Sequence, residues 1–223
     1  MAVVTISRQF GSGGRRIAGR VSEVLGYRYF DKALIIQAAA EVGLAEDHVI
    51  DHPEMHYEEK GLRERLWHAL FGSSKMTIGS RDRPTLTWGG LEAQLDEDWL
   101  VAMVNETIQE AYRQGNVVIV GRGGQAVLQD QAGVLHVRVE APTSTRLWRI
   151  HNYEGVTNVD EAKRLVETLD KRSAAYVQRF FNVTWDDPAL YHLVINTGKL
   201  QPDVAVHLIE AAIKQMTLEA APS

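Results

Sequence analysis

Residues 3–26 read VVTISRQFGSGGRRIAGRVSEVLG, which is an apolar run, a glycine-rich loop and an amphipathic segment in direct succession. The β-branched run Val3–Ile6 is typical of a buried parallel strand. Beyond the glycines, apolar residues recur at helical spacing until Gly26 ends the segment: Ile17, Val21, Val24 and Leu25. A strand, a glycine loop and a helix in this order predict an α/β domain whose ligands bind at the carboxyl ends of the strands.

The rest of the chain continues this alternation on both sides of a different central segment. Further strands are predicted at 27–30, 117–120, 134–139 and 193–195. Helices are predicted at 32–42, 57–71, 95–114, 143–152, 159–181 and 201–215. Short apolar strands between amphipathic helices predict one α/β domain over residues 1–223, a parallel sheet covered on both faces in three layers. Residues 52–90, with a long Gly/Ser/Arg/Pro-rich loop, are interpreted as an inserted segment.

Composition excludes several kinds of site. The chain has 223 residues and no cysteine, which rules out disulfides, thiolate metal ligands and cysteine nucleophiles. The net charge of −5 argues against nucleic acid as a partner. No segment approaches the roughly 20 apolar residues of a membrane span. We expect a cytoplasmic protein that binds neither nucleic acid nor membrane, and the eight histidines show no metal-ligand spacing.

The glycine loop predicts phosphate binding. Gly11, Ser12, Gly13 and Gly14 allow successive backbone N–H groups to face one anion, and the helix that follows adds the positive end of its dipole. Arg15 and Arg16 add charge and bidentate donors for phosphate oxygens. The alternative is a glycine-rich turn beside two solvated arginines.

The loop departs from the Walker A pattern G-x-x-x-x-G-K-[ST]. If Gly13 is the second glycine of that pattern, Arg8 stands at the first glycine and Gly14 at the lysine. Arginine also stands where the pattern carries its magnesium-binding hydroxyl. The phosphate-bridging charge must therefore come from Arg15, Arg16 or Arg8.

A second group of arginines follows much later in the chain. Arg146 and Arg149 lie three residues apart on one predicted helix face, and Arg172, Tyr176 and Arg179 recur on the next helix. Phosphoryl transfer relies on positioning and on neutralising charge, so these helices are interpreted as a lid over about residues 146–180. Arg146, Arg149 and Arg172 are predicted to be catalytic residues of this lid, together with Arg15 and Arg16 beside the loop. The alternative is solvated arginines, or arginines paired with Asp170, Asp160 and Glu161.

Two further polar residues follow predicted strands. Arg122 comes after strand 117–120 and is interpreted as a ligand of the acceptor phosphate. Asp31 follows strand 27–30 and either binds an acceptor sugar, orders magnesium through water, or caps the next helix.

The run Ile6–Ala18 resembles the opening of the cytidylate kinase-like family, which shares this lysine-free loop. Further matches follow in family order: Tyr29–Lys32, Val118–Gly124, Arg146, Arg149, Asp170, Arg172, Tyr176, Trp185–Pro188, Tyr191 and Val194–Thr197. The resemblance implies a P-loop nucleoside-monophosphate-kinase fold with a helical acceptor-side insertion and a helical lid. It also implies transfer of the ATP γ-phosphate, with Mg²⁺, to an acceptor such as CMP or dCMP. Asp31, Arg122, Tyr176 and Arg179 are predicted to bind this acceptor.

The chain also departs from cytidylate kinase proper. Residues 32–37 lack the Tyr-Arg pair found there, and Gly123 replaces the aspartate of a Gly-Arg-Asp triplet that reads cytosine. These departures weaken CMP as the acceptor more than they weaken phosphoryl transfer.

Two other functions fit parts of the sequence. Gly121–Ala126 after a strand, with Glu140 about twenty residues later, fits a dinucleotide-binding fingerprint and would suit an oxidoreductase. A nucleotide sensor without catalysis would explain the missing lysine and hydroxyl.

A homodimer that forms through residues 52–90 is a further expectation.

Overall fold

The computed structural model describes residues 2–31 and 97–219. The strands are β1 (Val3–Arg8), β2 (Arg28–Asp31), β3 (Val117–Val120), β4 (Val134–Glu140) and β5 (Leu193–Asn196). The helices are α1 (Gly14–Leu25), α2 (Glu97–Gln114), α3 (Gly124–Val127), α4 (Thr143–Tyr153), α5 (Val159–Phe181) and α6 (Pro202–Glu219). A 3₁₀ turn covers Pro188–Leu190.

The chain divides into two compact units, residues 1–30 with 108–223, and residues 31–107. Within the described ranges, the second unit contributes only Asp31 and the first part of α2. The predicted helices at 32–42 and 57–71 and the inserted segment 52–90 lie outside the described residues. None of the described helices is long and apolar enough to cross a membrane.

The five strands form one sheet in the order β2-β3-β1-β4-β5, with β1 at the centre. β1 pairs in parallel with β3 and with β4, and β4 pairs in parallel with β5. In this register Ile6 lies beside Val120 and Val137, so the loop after β1 leaves the carboxyl edge between two neighbouring strands. The central position of β1 is what puts the glycine loop in the middle of that edge.

One face of the sheet is lined mainly by apolar side chains. Val4 and Ile6 of β1 are fully buried there with α1 and α6 packed over them. The same cluster includes Val118, Val120, Leu135, Val137, Val139, Ile195, Ile17, Val21, Val206, Ile209 and Ile213. Burial of these side chains holds α1 against the sheet, which fixes where its first turn begins.

The opposite face of β1 and β4 is buried but polar. Thr5 and Ser7 alternate with the apolar residues of β1, and the strand register sets them beside His136 and Arg138. Thr5 Oγ1 lies 2.7 Å from His136 Nδ1, and Trp185 Nε1 donates to Ser7 Oγ at 2.9 Å. These bonds satisfy the hydroxyl groups of Thr5 and Ser7, as burial requires, whereas His136 Nε2 is buried without a hydrogen-bond partner among the described residues.

The α/β sheet predicted from the sequence is confirmed. The strand at 117–120 and the helix at 159–181 have the predicted bounds, and the other described elements differ by a few residues at their ends. The short helix α3 and the 3₁₀ turn were not predicted, because neither is long enough to show a hydrophobic period.

Candidate functional site: a glycine loop held by arginine and threonine

The glycine loop turns through two left-handed residues into the start of α1. Gly11 has φ +75° and Gly13 has φ +81°, conformations that favour glycine. Gly13 is the N-cap of α1 and has no side chain, so the first N–H groups of this helix have no side-chain cap. Such a helix start binds anions, because its N–H groups and its dipole both favour negative charge.

Gly11 is also required by packing against α4. A Cβ atom at this position would lie 3.1 Å from Arg146 Cβ and 3.1 Å from the Arg146 carbonyl oxygen. The loop therefore lies directly on α4, and this close approach needs a residue without a side chain.

Ser12 is the residue of the loop that its neighbours hold most firmly. It is fully buried, and its carbonyl oxygen accepts hydrogen bonds from Arg149 Nη1 at 2.7 Å and Thr197 Oγ1 at 2.6 Å. Its own Oγ is buried without a hydrogen-bond partner among the described residues. An unsatisfied hydroxyl inside an anion-binding loop is a group that a bound phosphate can satisfy.

Arg149 reaches from α4 to the segment after β5. Its Nη1 and Nη2 atoms donate to Oγ1 and to the carbonyl oxygen of Thr197, each at 2.8 Å. Burial and the nearby positive charge of Arg16 lower the pKa of Arg149. Two cations are thus held near each other at the loop, which makes the site favourable for an anion.

Arg146 has a different role from its neighbour. Its Nη1 donates to Asp170 Oδ2 at 2.5 Å and to the Phe10 carbonyl oxygen at 3.3 Å. The other Asp170 oxygen accepts from the Phe10 N–H at 2.9 Å. The predicted catalytic role therefore suits Arg146 less well than the ion pair with Asp170, which the sequence had left as the alternative.

Arg15 and Arg16 are both exposed on the first turn of α1. Arg16 also lines an open cleft of about 340 Å³ between the starts of α1 and α6. Its other lining residues are Ile17, Arg20, Pro202, Asp203 and Val206. The cleft adjoins the loop and is of a size that can take part of a small ligand.

Arg122 occupies a strained turn at the next strand of the sheet. Gly121, Arg122 and Gly123 have φ values of +74°, +58° and +72°, three left-handed residues in a row. A non-glycine residue in this region is uncommon and concentrates at functional sites. The Arg122 guanidinium lies 5.7 Å from the ring centre of Tyr176, so the structure brings together two of the predicted acceptor residues.

The packing around Gly123 explains why this turn has no carboxylate at that position. A Cβ atom there would lie 2.3 Å from the Phe181 ring, which fills the space that a side chain would need. Phe181 also packs edge-on against Tyr176 at 5.9 Å. The turn is therefore covered by aromatic rings.

Three further predicted residues lie on other elements of the fold. Arg172 and Arg179 are exposed on α5, and the Arg179 guanidinium lies 5.0 Å from the Phe180 ring centre. Asp31 is 1% exposed at the end of β2 and belongs to the second unit.

Sequence reasoning missed the parts played by Thr197 and Phe181. Thr197 entered only through the resemblance, and its signal was a hydroxyl directly after the last strand. Phe181 looked like an ordinary apolar residue at the end of a helix. Neither contact follows from spacing, since 185 residues separate Thr197 from Ser12.

The dinucleotide alternative does not suit the geometry. The helix after Gly121–Gly123 is only four residues long, whereas the fingerprint needs a full helix at the pyrophosphate. Glu140, its expected ribose ligand, lies with Oε2 3.5 Å from Arg138 Nε. Within the described ranges, no group of three His, Asp or Glu side chains could hold a metal ion.

Comparison with known proteins agrees with this geometry. The sequence model described as the cytidylate kinase-like family matches residues 3–199. Cytidylate kinases of Thermococcus sibiricus and Pyrococcus horikoshii are 24% and 22% identical over 215 residues, covering 96% of this chain and 89% of each relative. A crystal structure of an uncharacterized protein from Eubacterium ventriosum has a TM-score of 0.64 at 18% identity, covering 96% of this chain and 99% of that one.

Proposed function

We propose that this chain, which belongs to the cytidylate kinase-like family by its match over residues 3–199, transfers the γ-phosphate of ATP to a small acceptor. The expected acceptor is a nucleoside monophosphate such as CMP or dCMP. That the chain is a phosphotransferase with the P-loop kinase fold follows from the family. The nucleotide and the acceptor are the parts that need a test.

One observation carries the assignment. The uncapped start of α1 and the buried Ser12 hydroxyl lie beside Arg149, and Arg16 is close enough to lower the pKa of Arg149. Backbone N–H groups, one hydroxyl and two guanidinium groups in a partly buried loop suit a polyphosphate, because each supplies a donor or a positive charge. The same groups would neutralise the charge that spreads over the phosphoryl oxygens during transfer.

Arg122 supports the acceptor side of the proposal. It follows β3, which is the neighbour of β1, so both turns leave the same edge of the sheet. A guanidinium held in a strained turn over an aromatic ring suits an acceptor phosphate. The covered Gly123 removes the carboxylate that would read cytosine, so selectivity for CMP over other monophosphates should be modest.

Magnesium enters this proposal with the nucleotide. The residues after Gly14 are arginines, and the described residues offer no cluster of carboxylates for a resident ion. MgATP is therefore the expected substrate, with the metal held by phosphate oxygens and water. The homodimer expected through residues 52–90 concerns residues outside the described ranges and gains no support.

The test is a phosphotransfer screen with MgATP against CMP, dCMP, UMP, AMP and non-nucleotide acceptors. The reaction is monitored by the release of ADP and by the mass of the product. We expect acceptor-dependent ADP release with CMP or dCMP. Replacing Arg122 with Met should raise the acceptor KM about tenfold and leave the ATP affinity unchanged, because one charged phosphate contact is lost.

The alternatives give different results in the same samples. ATP binding with no transfer to any acceptor would favour the nucleotide sensor. Tight NADH binding without ATP binding would favour the dinucleotide function. Transfer only to a non-nucleotide acceptor would keep the phosphotransferase and remove CMP from the proposal.

A further inference from the structure

The side chain of Arg8 fills the space that a side chain at position 14 would need. A Cβ atom built on Gly14 would lie 2.6 Å from Arg8 Cβ and 3.1 Å from Arg8 Cγ, closer than real Cβ contacts allow. Gly14 is the position at which a Walker A loop carries its lysine, and Arg8 is the position of that motif's first glycine. The side chain of Arg8 therefore fills the room through which a lysine at position 14 would leave the backbone.

The far end of Arg8 reaches the second turn of the site. A Cβ atom on Gly121 would lie 2.3 Å from Arg8 Nη1 and 3.3 Å from its Cζ. The side chain thus runs from the first residue of α1 to the turn that carries Arg122, with glycine at both points of contact. This path joins the proposed ATP loop to the proposed acceptor turn along the carboxyl edge of β1 and β3.

The other cations of the loop are placed less well to contact a phosphoryl group during its transfer from the ATP loop to the acceptor turn. Arg15 and Arg16 are exposed on the surface of α1, and the Arg149 guanidinium donates to Ser12 and Thr197 rather than to the turn that carries Arg122. A positive charge that reaches both turns can neutralise the charge of a phosphoryl group throughout its transfer between them.

We propose that Arg8 replaces the absent loop lysine, so that glycine and cation have exchanged positions 8 and 14. This inference rests on the proposed function, since it assigns the catalytic cation of that same site. Arg8 contacts the phosphoryl oxygens from the strand side, while Gly14 leaves the space that its side chain needs.

The exchange can be reversed by mutation. Arg8→Gly should weaken ATP binding at least tenfold and lower kcat about a hundredfold, because the bridging charge is lost. Gly14→Lys should lower Tm, because its new side chain meets Arg8. The double variant Arg8→Gly/Gly14→Lys should recover ATP affinity to within about fivefold of wild type, since the lysine then occupies the vacated path.

Two further variants separate charge from packing. Arg8→Met keeps most of the volume and should lose ATP affinity as Arg8→Gly does, whereas Arg8→Lys should keep most of it. Arg113→Met, which removes an exposed arginine of α2 from its pair with Glu110, serves as the control and should leave ATP affinity unchanged. Thermal melts identify variants that fail to fold. If Arg8→Gly fails to fold, the ATP affinities of Arg8→Met and Arg8→Lys test the inference in its place.

The outcomes separate this inference from the proposed function. ATP affinity and kcat within twofold of wild type in Arg8→Met would overturn the inference and leave the phosphotransferase intact. A Cβ atom on Gly14 would also lie 3.2 Å from Val139 Cβ, so the double variant is compared only where its Tm shows that it folds. A folded double variant that binds ATP no better than Arg8→Gly would overturn the inference as well. If the wild-type protein binds ATP but transfers no phosphate, the proposed function fails, and ATP affinity across the same variants still decides the role of Arg8.

Discussion

At the scale of single residues, Thr197 holds the glycine loop through the hydrogen bonds of its hydroxyl group. Its hydroxyl donates to the Ser12 carbonyl oxygen at 2.6 Å, and the hydroxyl oxygen accepts a hydrogen bond from Arg149 Nη1 at 2.8 Å. Its backbone N–H donates to the Glu140 carbonyl oxygen at 2.9 Å, which ties it to the end of β4. One side chain thereby connects two strand ends with the middle of the glycine loop.

Replacing Thr197 with Val should raise the Kd for ATP about five- to tenfold. Valine keeps the shape but removes the hydroxyl, which leaves Ser12 with one hydrogen bond fewer and costs about 1–2 kcal/mol. Titration calorimetry with ATP measures the change. Thr197→Ser retains the hydroxyl and should bind ATP nearly as wild type does; equal affinity in the Val variant would show that this hydrogen bond does not shape the loop.

Among elements, α4 and α5 behave as a pair attached to the loop. The Arg146 side chain of α4 and the Asp170 side chain of α5 are 8% and 18% exposed, and both bond the backbone of Phe10 just before the glycines. Ile150, Ala162 and Val166 pack in the core between the two helices. This ion pair therefore ties residues 146–180, the segment predicted to be a lid, to the backbone just before the glycines.

Replacing Asp170 with Asn should destabilise the protein by about 3 kcal/mol. The change leaves the largely buried Arg146 without its counter-ion, and such an uncompensated charge is costly. Urea denaturation at constant pH measures the free energy of unfolding. The matched control is Asp160→Asn on the same helix, whose ion pair with Lys163 is exposed and whose loss should cost less than about 1 kcal/mol. Equal effects of the two variants would contradict the role given to the Arg146–Asp170 pair.

At the scale of the whole molecule, the sheet has one apolar and one polar buried face. His136 lies on the polar face, 3% exposed, with its ring stacked on His192 at a centroid distance of 5.2 Å. Its backbone N–H donates to His192 Nδ1 at 2.9 Å. Burial, followed by the charge of His192, lowers the pKa of His136 to about 4, and the backbone of Leu128 offsets part of this.

This lowered pKa should make the fold sensitive to acid. Because the folded pKa lies below the unfolded value of 6.5, the stabilisation is complete above pH 6.5 and is lost as the pH falls toward 4. The difference corresponds to at most about 3 kcal/mol. Urea denaturation from pH 7 to 4.5 should give a shallower loss of stability for His136→Gln than for wild type. His207→Gln, on the exposed side of α6, is the control, and equal slopes in all three proteins would refute the assignment.

The order of the elements and the phosphate loop could be read from the sequence, because both depend on local patterns. The β-branched runs and helical periods gave the strands and helices of the described ranges, and the glycines after β1 marked the ligand edge. The missing lysine could also be read directly. The sequence favoured Arg15 and Arg16 as its replacement, because the packing of Arg8 against Gly14 is visible only in the fold.

The sequence by itself determined the α/β class, the family and the glycine loop, since each can be recognised from motifs read in order along the chain. Only the tertiary structure shows what each arginine contacts. It paired Arg146 with Asp170, brought Arg149 and Thr197 to Ser12, and laid Arg8 across Gly14 and Gly121. The physical reason is that a cation's role depends on the charges and cavities within a few ångströms of it, and packing brings those together from more than a hundred residues away.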